Sequence, residues 1–156
     1  MEMVLNTHAG QEARQSKTRA IRLRQTHFCG DSRHLDVLLL ALGFNNIALW
    51  NEWRAKNATQ GVDLRGADLS NCDVSGANLR NADLANAGLS GADLSGAELE
   101  FANLRGADLT GATLRLANLY GADLTEADLS GSTMVATDLI NAYLRKARLE
   151  DLCFCS

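Results

Sequence analysis

The chain has 156 residues, four cysteines, no proline and a formal net charge of −4. That length bounds it to one domain with at most a small appendage. The longest apolar run, Val37–Phe44, is far too short to cross a bilayer, and the N-terminus lacks a charged-then-apolar leader pattern, so a cytoplasmic protein without membrane contact is expected.

Residues 1–34 are polar and basic, with Arg14, Lys17, Arg19, Arg22, Arg24 and Arg33. They read as a mobile tail. A basic arm for nucleic acid is the sharper alternative, but Glu2, Glu12 and Asp31 dilute it and no aromatic residues interleave, so direct nucleic-acid binding is not expected. His27, Cys29 and His34 group only loosely, and neither they nor the pair Cys153 and Cys155 supply a convincing ligand set. The four cysteines, Cys72 included, do not form a disulfide framework, and no metal or cofactor is expected.

Residues 35–60 read as a helical N-terminal cap. Leu35, Leu38, Leu39 and Leu42 lie at helical spacing and Gly43 suits a stop. Asn45 could cap a second helix carrying Ile47, Trp50, Trp53 and Arg54. Trp50 and Trp53, three apart, share one face. A tryptophan pair invites a ligand-site reading, but a lid over whatever follows is the better use of it.

Residues 61–156 follow one rule. A leucine, or Val74, Met134 or Phe154 in its place, falls at every fifth position from Leu64 to Phe154 without insertion, nineteen registers in all. Two positions earlier stands alanine, except at Val62, Cys72, Ser132, Thr137 and Leu152. Five residues advance a helix by about 500°, so no stripe forms. On a straight strand successive leucines would alternate faces, because five is odd. Both small and large positions face one interior only if the chain turns once per repeat. Glycine two residues after many centres, as at Gly66, Gly91 and Gly121, marks the corners. A short strand and a corner, repeated, make an all-β solenoid. Ser132 and Thr137, at inward positions, should find backbone partners or cost stability. The Asp and Asn before the centres should bond neighbouring backbone.

The tandem A(D/N)LXX pattern, as in GADLS at Gly66–Ser70 and Gly91–Ser95, resembles the pentapeptide-repeat family. WNEWR, just before the repeats, is similar to a lead-in of that family. The resemblance implies a right-handed quadrilateral β-helix, four repeats to a coil, slightly under five coils. At about 4.8 Å per coil its length would be about 23 Å. It also implies that a homodimer can form through the C-terminal coil, where Leu152 and Phe154 would meet a second copy.

Two function classes remain. The first is a non-enzymatic protein–protein interaction module. Outward positions are polar or small except for Phe101, Leu116, Tyr120, Val135 and Ile140, which twenty-residue stacking gathers into one region. The second, which the resemblance suggests, is DNA mimicry toward a topoisomerase such as gyrase. Residues 61–156 carry seven Lys/Arg and fourteen Asp/Glu, a net of −7. Duplex DNA of about 23 Å would carry roughly 13 charges, so the solenoid is too weakly charged to match it. Catalysis is not expected: residues 61–156 hold no histidine, and convex walls give acid pairs no pocket.

Overall fold

A computed structural model describes residues 25–154. The repeats form a solenoid in which each residue before a centre bridges, in parallel, to the residue twenty positions on. The series runs from Asp63↔Asp83 to Thr133↔Cys153. Twenty residues therefore make one coil, with four bridging sides and four two-residue corners. Side one contains Asp63, side two Asp68, side three Asp73 and side four Asn78. The same twenty-residue register puts Leu79, Leu99 and Leu119 directly over one another, each fully buried.

The five-residue rule is met side chain by side chain. Alanines and leucines from Val62 to Leu129 are at most 4% exposed. They give the molecule one continuous apolar column walled by backbone. Each coil hangs on the next by paired bonds, as Leu64 N–H to the Asp83 carbonyl and Asp83 N–H to the Val62 carbonyl, both 2.8 Å. The corner residue two after each centre takes a left-handed backbone, with φ of +67° at Gly66. At Gly66 a side chain would run into the His27 carbonyl, so only glycine fits there. Aspartates before the centres accept from the amide two residues on, as Asp93 Oδ1 from Ser95 N–H at 2.9 Å.

Thr137 finds a partner, its Oγ1 donating to the Leu114 carbonyl at 2.7 Å. Ser132 does not: its Oγ is fully buried without a partner among the described residues. The alanine-sized slot that admits serine leaves its hydroxyl facing apolar neighbours. Burial also fails at the last coil. Phe154 holds the inward phase yet is 65% exposed, and Leu149 is 43% exposed.

Two helices precede the coils, α1 (Ser32–Gly43) and α2 (Ala48–Lys56). Asp31 caps α1 by accepting from Arg33 N–H at 2.9 Å. Leu35, Leu38, Leu39 and Leu42 form its buried face, as their spacing predicts. At α2 the side-chain acceptor is Asn46 Oδ1, bonded to Ala48 N–H at 3.2 Å, and not the expected Asn45. Asn45 instead takes the left-handed bend between the helices, with φ of 50°. Trp50 is fully buried, and its ring stacks on Trp53 with centroids 5.4 Å apart.

The expected tail through residue 34 needs correction. The first helix begins at Ser32, and residues 25–31 run along the edge of the first coil, with Cys29 N–H to the Arg65 carbonyl and Asp31 N–H to the Asp63 carbonyl, both 3.0 Å. The reason is the edge itself: coil one has no coil before it, and its backbone groups need partners. The rest of the expected tail, residues 1–24, lies outside the described residues. No helix among the described residues is long and apolar enough to cross a membrane.

Candidate interaction surface

The five outward apolar residues lie along side four. Phe101, Leu116 and Ile140 are each more than half exposed, Tyr120 is 37% exposed, and Val135 is half-buried. Phe101 and Tyr120 share the corner between sides four and one, their rings meeting edge-on with centroids 5.5 Å apart. Phe101 also lies flat against Gly121, where an added side chain would collide with its ring. Ile140 stacks one coil beyond Tyr120, and the Tyr120 hydroxyl accepts from Asn141 Nδ2 at 3.0 Å. Leu116 and Val135 meet at the opposite corner, joined by a 2.9 Å bond from Leu116 N–H to the Val135 carbonyl. The twenty-residue register thus brings four of them into two neighbouring pairs and sets Ile140 beside the aromatic pair. The polar row of side four runs between them.

Two of these residues hold unusual backbone. Phe101 (φ 57°) and Leu116 (φ 58°) occupy the left-handed corner position that glycine fills in eight other repeats. Bulky side chains there cost roughly 1–2 kcal/mol.

Beneath the aromatic corner lies a polar group that sequence reading missed. Glu100 is 7% exposed, and its Oε1 accepts from Arg80 Nη1 and Asn118 Nδ2, both at 2.9 Å. Glu100 Oε2 is buried without a partner among the described residues. The signal was present, because Arg80 stands twenty residues before Glu100. Tyr143, at a position usually acidic, is 64% exposed.

The acid columns are partly paired. On side one Arg65 bonds Asp63 at 2.8 Å and approaches Asp83 at 3.8 Å, and Arg105 approaches Asp123 at 3.4 Å. Lys146 bonds Glu126 at 2.8 Å, and Arg148 bonds Asp128 at 3.0 Å. The Arg65 guanidinium holds the Asp63 carboxyl below the usual range, and the Lys146 ammonium does the same to Glu126. Ser130, whose N–H bonds Asp128 Oδ1 at 3.0 Å, lowers Asp128. Carboxylates lowered by folding stabilise the fold above their unfolded values and lose that contribution as pH falls. The urea midpoint is therefore expected to hold from neutral pH down to about 4 and to drop below it. A midpoint that rises on acidification contradicts these pairings.

Elsewhere the surface offers little chemistry. Cys29 is exposed and Cys72 buried, neither in a disulfide. Cys155 lies outside the described residues. No group of three His, Cys, Asp or Glu side chains among the described residues could hold a metal ion. His34, grouped loosely with Cys29 by sequence, is instead buried, its Nδ1 accepting from Asp63 N–H at 3.1 Å.

The family model described as "Pentapeptide repeats" matches in eight copies, over residues 63–100, 92–131 and 122–156. No curated protein matches the chain. Among solved structures it is similar to a pentapeptide repeat protein from Nostoc Pcc 7120, at 45% identity and a TM-score of 0.49, covering 49% of this chain and 64% of that one. A second, from the cyanobacterium Cyanothece 51142, shares 33% identity over 59% of this chain and 60% of its own, with a TM-score of 0.40. A third, from the Arabidopsis thaliana thylakoid lumen, shares 35% identity over 56% of this chain and 64% of its own, with a TM-score of 0.33. The chain thus covers less than two thirds of each of these relatives. With the repeat model matched across residues 63–156, more than half of its length, the chain belongs to the pentapeptide repeat family.

Proposed function

We propose that this protein is a non-enzymatic interaction module whose rigid side four presents Phe101, Leu116, Tyr120, Val135 and Ile140 to a protein partner. One observation carries the reading. Phe101 and Leu116 keep bulky apolar side chains exposed in a strained corner conformation that glycine would adopt freely. Stability alone favours glycine there, so another demand supports the side chains. The coil is read as right-handed and four-sided. The helical segment with Trp50 and Trp53 acts as a cap that keeps the first coil from pairing with other chains. A second copy could meet the exposed Leu149 and Phe154 of the last coil.

The test is a pull-down from lysate with the wild-type protein and with the double substitution Tyr120→Ser and Ile140→Ser. The circular dichroism and melting of the variant should match wild type, while the captured partner is lost. Equal capture by both overturns the reading. A differently tagged copy of the chain in the same assay reports self-association, which the double substitution should leave unchanged. Topoisomerase binding by charge mimicry is the alternative. The acid columns support it, and the arginines paired to them weaken it. Inhibition of gyrase supercoiling by the purified protein, undiminished by the double substitution, would favour it.

A further inference from the structure

The row that divides the apolar patch of side four carries more acid than base. Its bridge residues are Asn78, Glu98, Asn118 and Asp138. Arg80 Nη1 lies 2.9 Å from Glu100 Oε1 and 3.9 Å from Glu98 Oε2, so two carboxylates converge on one nitrogen. The pair with Glu100 is close, and the exposed Glu98 stands off from it. Asn118 Nδ2 also goes to Glu100 Oε1, at 2.9 Å, while Oε2 stays buried without a partner among the described residues. Asp138 Oδ1 accepts from Ile140 N–H at 2.8 Å, and Asp138 pairs with no basic side chain among the described residues. Three carboxylates thus share one arginine. Arg115, at the far corner beside Leu116, is within ion-pair distance of none of them.

Aromatic rings border this excess of charge. Glu100 directly precedes Phe101, and the twenty-residue register sets Tyr120 over Glu100. An aromatic face attracts a cation, and so does a carboxylate whose counter-ion is shared. The same groups disfavour other occupants. An apolar partner would strip Glu98 and Asp138 of water without replacing it, and an acidic one would be repelled.

We propose, resting on the interaction reading above, that the partner presents a basic side chain set between apolar ones. The cation lies against Phe101 and Tyr120 and pairs with Glu98, with the half-satisfied Glu100 behind it. Its apolar neighbours cover Ile140 and Leu116.

Phage-displayed random peptides, selected on the purified full chain, test this. Each clone is compared on the double variant Tyr120→Ser and Ile140→Ser. Peptides that bind wild type and lose the variant should carry Arg or Lys next to apolar residues. Replacing that basic residue by norleucine in the synthetic peptide should weaken binding at least about tenfold. Glu98→Gln in the protein should weaken it by a similar factor, and both changes together by little more than either. Glu98 is exposed, so the variant should melt as wild type does. Peptides that need side four but carry no basic residue, or whose affinity ignores Glu98→Gln, overturn this proposal and leave the docking surface standing. If no peptide distinguishes the double variant from wild type, the docking surface falls as well.

Discussion

Replacing Leu104 by alanine is expected to destabilise the protein by about 3 kcal/mol, read as a shift of the urea midpoint. Leu104 is fully buried at the centre of side one, in the column that also holds Leu84 and Leu124. The cost of such a cavity depends on how far its walls can collapse. Here the walls are backbone, fixed above and below by bonds such as Leu104 N–H to the Asp123 carbonyl at 2.8 Å. They cannot close in without breaking the ladder, so most of the cavity should persist. Leu149→Ala, in the same kind of position but 43% exposed, should cost at most about 1 kcal/mol. If the two substitutions cost the same, the continuous inner column is not what holds the coils together.

Trp50→Ala is expected to cost about 4 kcal/mol, within the range for burying and then deleting an indole. Trp50 fills the space beneath the first coil and bonds the Asn78 carbonyl at 2.8 Å. Trp50→Phe keeps most of the packing and leaves that carbonyl without its donor, a loss of roughly 1–2 kcal/mol. The two variants should also differ in behaviour. Alanine frees the edge of coil one, and exposed edges pair with one another. Sedimentation of Trp50→Ala should therefore shift with concentration, while Trp50→Phe should sediment as wild type does. If both variants sediment alike, Trp50 has no part in guarding that edge.

The solenoid was legible because its rule is local and repeated. Leucine and alanine at fixed intervals specify which side chains point inward, and the five-residue period forces the corner. The outward apolar group was legible for the same reason, since counting by twenty is enough to stack Tyr120 on Ile140. The misses share a different cause. Residues 25–31 join the fold through backbone amides and one glutamine, Gln25, which leave no periodic mark in a sequence. His34 looked like a stray histidine in a polar tail because its partner, Asp63 N–H, is a main-chain group. The cap of the second helix fell one residue away because Asn45 and Asn46 are chemically identical, and only the bend between helices separates their roles. Phe154 keeps the inward phase, but phase gives direction only; burial needs another coil above it. Ser132 shows the converse, a hydroxyl sealed in by neighbours whatever its own preference.

The twenty-residue bridge register bears on how such a molecule can change in length. Removing one pentapeptide would preserve the alternation of alanine and leucine, and so the interior. It would also turn everything beyond the cut by one side, carrying Tyr120 and Ile140 away from the quadrant they occupy above Trp50. Removing four pentapeptides would shorten the molecule by one storey and leave every surface column aligned. Interior and exterior thus answer to different arithmetic: one tolerates any multiple of five, the other only multiples of twenty.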